Sequence, residues 1–155
     1  MHRFILNEEQ KKIGEDLRVS IQKVSLPEKI ISLRYNLLIN PEVSENEIIL
    51  GYTKNETSKN YLFIDTNDKS VNHKWNYNQS ECYFINSSIE LLEKSLNILD
   101  FYLDDLIENK ELGEYHVHHK RYANVLERLL SKIDIKSVTN GFWYSFIEEM
   151  KMGVI

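Results

Sequence analysis

The feature that most constrains the fold is a change of hydrophobic period near residue 86. Upstream lie four short segments rich in β-branched and aromatic residues: EIILGYT (47–53), YLFIDT (61–66), SVNHKWNY (70–77) and ECYFIN (81–86). Clusters of Asn, Asp, Lys and Ser separate them and favour turns, including a hairpin turn expected at residues 67–69. Gly51 leaves room for a bulge or a close backbone approach. The pattern predicts a small antiparallel sheet built as a meander.

Downstream, the sequence SSIELLEKSLNIL changes to apolar steps of three and four, which predicts a helix that reaches about Asn109. Ser87 and Glu90 fit a capping box, in which the serine hydroxyl accepts a hydrogen bond from an unpartnered N–H group of the first turn. One stripe of this helix is apolar, with Ile89, Leu92, Leu96, Leu99, Leu103 and Leu106. A second apolar flank, with Leu91, Ile98 and Tyr102, indicates that the helix packs against more than one neighbour.

Other helices are predicted on both sides of these segments. Asn7 can cap a first helix that ends before Pro27 and whose apolar face is Ile13, Leu17, Ile21 and Val24. Residues 28–38 fit either a short helix or an extended segment. Residues 115–133 and 139–153 have helical spacing, and we expect Trp143 in the core. The chain is therefore predicted to be α+β, with a small antiparallel meander, an N-terminal helix and about three C-terminal helices, in a single domain over residues 1–155.

The N-terminus and the single cysteine indicate a cytoplasmic protein. MHRFILNEEQKK turns polar after a short apolar stretch, which is too short for the apolar core of a secretory signal. No apolar run reaches the roughly 18 residues that a membrane span requires. Cys82 has no second cysteine to pair with, and its position in an alternating segment predicts a buried, inert thiol.

No group of residues in the sequence has the spacing of a catalytic site. His116, His118 and His119 invite a metal-site interpretation, but on a helix they do not share one face, and no partner motif lies nearby. There is no GxSxG motif and no glycine-rich phosphate loop. Asp104 and Asp105 point in different directions around a helix and are weak candidates for acid–base chemistry. We therefore expect neither an enzyme nor a bound cofactor or metal.

The charge is concentrated in one segment. Residues 86–115 carry eight acids and two bases, a net charge of −6, against −5 for the whole chain. At about 100° per residue, a strip of acids lies beside the apolar stripe of the long helix: Glu93, Asp100, Asp104, Glu108 and, if the helix continues, Glu111. Phe101 lies nearly opposite the core. This surface is either a solvated helix face or a binding face for a basic protein, and it argues against nucleic acid as a ligand.

A second candidate surface lies on the predicted hairpin, where Val71, His73, Trp75 and Tyr77 alternate onto one face. Trp75 and Tyr77 either contact a partner or pack beneath a helix, and the sequence leaves both open. The predicted partner-binding residues are, in order of preference, Asp100, Phe101, Asp104 and Glu108, followed by Trp75 and Tyr77.

The order of these segments resembles the SUKH superfamily of bacterial toxin-immunity proteins. ILGYT, YLFIDTNDKSV and YFINSSIELLEKSL are similar to its central pattern, and IDIKSVTNGFWYSFIEEMKMG is similar to the C-terminal signature of its fourth subgroup. The resemblance covers roughly residues 45–153. The family pattern falls on Gly51, Asp65, Val71, Asn86, Ser87, Ser88, Trp143 and Gly153. KNETSKN replaces the glycine-rich loop of the family, and NDKS replaces a turn that contains glycine.

The resemblance implies a SUKH-like domain that acts as an immunity protein, or antitoxin. Such a protein would bind a cognate toxin domain, often a nuclease of a polymorphic toxin system, and would have no turnover of its own. Two other functions remain open at this point. One is a regulatory adaptor that binds a host protein, and the other is a metal-dependent hydrolase that uses the HVHH sequence.

Overall fold

The structure is a computed structural model that describes the chain except residues 11, 31–32, 55–59, 76–80 and 110. It is an α+β fold, as predicted. The strands are β1 (His2–Arg3), β2 (Ser25–Leu26), β3 (Lys29–Ile30), β4 (Leu33–Val43), β5 (Glu47–Thr53), β6 (Tyr61–Asp65), β7 (Val71–Lys74) and β8 (Cys82–Asn86). The α-helices are α1 (Glu15–Lys23), α2 (Ile89–Glu108), α3 (Tyr115–Ser131) and α4 (Gly141–Met152).

Strands β3 to β8 form an antiparallel sheet in which each strand pairs with the next along the chain. The predicted meander is therefore confirmed, and the hairpin between β6 and β7 turns at residues 66–68. The register shifts between Ile49 and Gly51, and a Cβ on Gly51 would lie 2.7 Å from the Asn36 carbonyl oxygen. Both the bulge and the close approach expected at this glycine are present.

Residues 28–38, which fit a helix or a strand by sequence, are extended where the structure describes them and belong mainly to β3 and β4. Strand β4 pairs with the short β3 on one side and with β5 on the other, from Tyr35 opposite Thr53 to Val43 opposite Ile48. A separate two-stranded sheet pairs β1 with β2. Helix α1 begins later than predicted, after Gly14, because residues 8–10 form a turn of 3₁₀ helix whose Gln10 side chain accepts from the Asn7 N–H group.

The expected cap of helix α2 is wrong by one residue. Ser88 occupies the N-cap position, and its hydroxyl accepts a hydrogen bond from the Leu91 N–H group at 3.3 Å. Ser87 instead donates its N–H and hydroxyl groups to the carboxylate of Asp134. Two adjacent serines with similar capping propensity cannot be ordered by local pattern alone, and a tertiary contact decides which of them caps.

The core lies between the sheet and the helices. Ile89, Leu92, Leu96, Leu99 and Leu106 of the predicted α2 stripe are buried, as is Tyr102 on its second flank. Helix α2 contacts β8, α1 and α3, which confirms the prediction of several neighbours. Trp143 of α4 is fully buried, as expected. Within the described ranges, no helix is long and apolar enough to cross a membrane.

The prediction of a buried Cys82 is wrong, because this side chain is exposed. Strand β8 is the edge strand of the sheet. Cys82 pairs with Lys74 of β7 and so lies on the polar face of this strand pair. Partial desolvation raises the pKa of the Cys82 thiol. The protonated thiol is thereby favoured, and the group is a poor nucleophile at neutral pH.

Candidate functional site

The last two turns of helix α2 form an exposed face that we call the α2 outer face: Asp100, Phe101, Asp104 and Glu108. All four side chains are exposed, and Phe101 is 72% exposed. They lie on the side of the helix opposite the buried residues Leu99, Tyr102 and Leu106. An aromatic ring that projects into solvent between carboxylates has no role in the core of the chain itself. The face therefore combines an exposed aromatic ring with a cluster of exposed carboxylates.

The acids of the α2 outer face differ from most other acids in their pairing. Among the described residues, Asp100, Asp104 and Glu108 have no ion pair or side-chain hydrogen bond. Elsewhere, Glu28 pairs with Lys54, Glu47 with Lys74, Glu111 with Arg121, and both Glu127 and Glu148 with Lys151. Three uncompensated charges on two turns of helix create a local negative potential. No cation among the described residues pairs with these acids, so the potential is available to a basic partner.

The first and last acids of the predicted strip, Glu93 and Glu111, form contacts within the protein. Glu93 accepts a hydrogen bond from the Ser25 N–H group at 2.7 Å, which ties α2 to β2. Helix α2 ends at Glu108, and Glu111 lies in the following 3₁₀ turn, where it contacts Arg121 at 3.2 Å. The part of the strip that is free to meet a partner is therefore the C-terminal half of α2.

Apolar side chains extend this face. Leu103 belongs to the stripe predicted to be buried, but it is 37% exposed, and Ile107 is 58% exposed. Ile89 and Leu96 point in nearly the same direction from the helix axis as Leu103, but both are buried. The described elements thus cover the first half of α2 more fully than the second. The prediction for Leu103 fails because periodicity gives the direction of a side chain but not the extent of the layer above it.

The second candidate surface is partly internal. Trp75 is half-buried, with its ring edge-on to His73 at 4.6 Å and to Tyr83 at 6.1 Å between centroids. Phe142, at the start of α4, contacts both His73 and Tyr83. We call His73, Trp75, Tyr83 and Phe142 the aromatic cluster. Trp75 is thus packed in part against other rings and exposed in part, while Tyr77 lies outside the described residues.

A buried polar network holds α2 in place and was not predicted. The Asp134 carboxylate accepts hydrogen bonds from the Ser87 N–H group at 2.7 Å, the Ser87 hydroxyl at 3.0 Å and the Asn86 amide at 3.0 Å. The Trp143 indole donates to the Asn86 side-chain oxygen at 2.9 Å. These residues lie in the motifs that resemble the SUKH pattern, and those motifs were the only feature of the sequence that could have pointed to the network. Their role here is to join β8, α2 and α4.

The histidine-rich start of α3 does not form a convergent site. His118 lies 3.9 Å from Glu114, and a His119 ring nitrogen lies 3.2 Å from the His116 carbonyl oxygen. In the part of the chain that the structure describes, no group of three or more His, Cys, Asp or Glu side chains is placed to hold a metal ion.

The chain was compared with protein-family models, curated proteins and solved structures, and none of the three comparisons gave a match. The case for a function therefore depends on the geometry of the two surfaces and on the motifs of the sequence.

Proposed function

We propose that the protein is an immunity protein that binds a cognate bacterial toxin domain in the cytoplasm and neutralises it by occlusion, without turnover and without a cofactor. The observation that carries this proposal is the α2 outer face, where an exposed phenylalanine lies among three carboxylates that pair with no described residue. The resemblance of the strand and cap motifs to the SUKH superfamily supports the immunity role.

A nuclease is the toxin class that fits the charge of this face. A nuclease must hold a phosphate backbone, so its substrate path is lined with Lys and Arg. Asp100, Asp104 and Glu108 complement such a surface and would accelerate encounter, while Phe101 supplies an apolar anchor. Covering the substrate path would block the toxin without any chemical step by the immunity protein.

The first test identifies the partner and asks whether the protein protects cells from it. The tagged protein is used to capture partners from lysate of the native host, and any captured toxin domain is then expressed in a sensitive strain with and without the protein. Restored growth with that toxin, and not with an unrelated toxin, is the expected result. Capture of a housekeeping protein without growth rescue would overturn the immunity role in favour of an adaptor.

The second test asks whether the α2 outer face is the contact surface. In Asp100→Lys/Asp104→Lys, we expect the association rate constant with the toxin domain to fall at least about tenfold, because encounter loses its electrostatic steering. Thermal stability should change little, because both side chains are exposed and Lys is a good helix former.

Glu45→Lys/Glu149→Lys is the matched control. It makes the same change in net charge at two exposed acids outside α2, and its association rate constant should stay within about twofold of wild type. Equal rates for the two double variants, measured by stopped-flow fluorescence, would remove the α2 outer face from the interface. Growth rescue would still establish the immunity role in that case.

A further inference from the structure

His73 is a buried polar residue whose hydrogen bonding is incomplete. The side chain is fully buried on β7, and its Nδ1 atom lies 2.7 Å from the hydroxyl of Tyr35, which is also buried. Among the residues that the structure describes, the Nε2 atom has no hydrogen-bond partner. A buried nitrogen without a partner costs stability, so its presence calls for a physical explanation.

The groups around His73 are rings and aliphatic side chains rather than charges. Trp75 and Phe142 lie edge-on to the imidazole, with centroids at 4.6 and 5.4 Å. Leu62 of β6 and Tyr83 of β8 pair with His73 in the sheet. The titratable groups that face it from the described elements are Tyr35 and Tyr83, and no carboxylate or cationic side chain contacts it. Burial raises the pKa of the Tyr35 hydroxyl, which is therefore neutral at physiological pH.

The imidazolium form cannot be satisfied at this position. A protonated ring has two N–H donors, and the Tyr35 oxygen can accept from only one of them. Burial accordingly lowers the pKa of His73 from 6.5 to about 4. A conformation that exposes the ring to water binds the proton more tightly than the closed conformation does. Its population relative to the closed form therefore rises about tenfold for each pH unit below 6.5, until the closed form also takes up the proton.

The cover over His73 lies at a weak part of the fold. Strand β8 ends the sheet, Cys82 and Tyr83 are exposed, and Trp75 is half-buried. The buried network around Asp134 and Trp143 anchors the other end of β8 at Asn86 and Ser87. Opening at Trp75 and Tyr83 would therefore not require the loss of that network or of α2.

We propose that His73 is a pH-sensitive latch: uptake of a proton by its imidazole releases the aromatic cluster, so that Trp75 and Tyr83 move away from the ring while the rest of the fold remains. This inference is independent of the immunity role. Because the Nε2 atom has no described partner that could accept a hydrogen bond, the cluster can stay closed only while the His73 ring is neutral.

The test uses acrylamide quenching of tryptophan fluorescence between pH 7.5 and pH 4.5. Trp75 is the responsive probe, because Trp143 is fully buried. We expect the quenching constant of the wild type to rise at least about threefold towards pH 4.5 while the far-ultraviolet circular dichroism stays constant. In His73→Phe, which keeps a buried ring and removes the titrating group, the quenching constant should stay nearly flat.

Two outcomes would overturn the latch. One is the same rise in quenching for wild type and His73→Phe, and the other is a rise that coincides with loss of circular dichroism, which would indicate global acid unfolding. If His73→Phe does not fold, the imidazole and Trp75 indole signals of the wild type are followed by NMR. Their joint titration supports the latch, and titration of His73 with an unchanged Trp75 signal contradicts it.

Discussion

At the scale of single residues, Gly141 is a position that has no room for a side chain. Its φ angle is +82°, and a Cβ at this position would lie 2.0 Å from the Phe84 carbonyl oxygen of β8. An L side chain is thus excluded twice, by the backbone conformation and by the neighbouring strand. The start of α4 can approach the edge strand only because residue 141 is glycine.

We predict that Gly141→Ala lowers the free energy of unfolding by about 3 kcal/mol, because β8 and α4 must move apart and the backbone is strained. Gly113→Ala is the matched control, since a Cβ there meets no atom within 4 Å, and it should change stability by less than about 0.5 kcal/mol. Urea unfolding curves of the two variants measure the difference. Equal midpoints would show that the contact at Phe84 is not tight.

At the scale of secondary-structure elements, the start of α2 assigns different roles to two adjacent serines. Ser88 satisfies a free N–H group of its own helix, and Ser87 satisfies the buried Asp134 carboxylate. The first interaction is local and the second joins α2 to the segment before α4. Their energies should therefore respond differently to changes at Asp134.

We predict that Ser88→Ala costs about 1 kcal/mol and that Asp134→Asn costs about 3 kcal/mol. The asparagine offers one oxygen in place of two and turns an N–H₂ group towards donors. In double-mutant cycles, Ser87→Ala and Asp134→Asn should be coupled by about 1 kcal/mol, whereas Ser88→Ala and Asp134→Asn should be additive within about 0.5 kcal/mol. If Ser88→Ala were coupled to Asp134→Asn and Ser87→Ala were additive with it, Ser87 would be the cap.

The elements themselves could be predicted from the sequence wherever local pattern decides them. The period of two located β5 to β8, and helical spacing located α2 to within a residue at its C-terminal end. Residues 28–38 remained undecided, because apart from the short pairing with β3 the partner strand of β4 is β5, which comes later in the sequence. The role of Ser87, the exposure of Leu103 and that of Cys82 depend on neighbours distant in sequence or on where a layer ends. For the candidate site, the sequence predicted the exposed Phe101 but not the aromatic cluster around His73.

At the scale of the whole molecule, charge is divided unevenly between surfaces. Paired acids lie around the sheet and along α3 and α4, while the acids of the α2 outer face, which pair with no described residue, lie together on one helix. A protein with net charge −5 therefore presents a directed field rather than a diffuse one. Such a field affects the rate of encounter more than the lifetime of a complex.

We predict that association of the wild type with the proposed toxin partner slows about tenfold between 50 mM and 500 mM NaCl, because salt screens the field of the α2 outer face. The dissociation rate should change much less. The Asp100→Lys/Asp104→Lys variant should have a shallower salt dependence than the wild type in the same stopped-flow assay. Parallel salt dependences for the two proteins would place the steering charges elsewhere.

The network around Asp134 also sets an order of events during synthesis. Its carboxylate accepts from Ser87, 47 residues earlier, and Trp143 donates to Asn86, 57 residues earlier. The meander pairs strands that follow one another along the chain, so each hairpin can close soon after it is made. On the ribosome, the polar groups at the start of α2 must stay hydrated until residues 134–143 emerge and the helices close over the finished sheet.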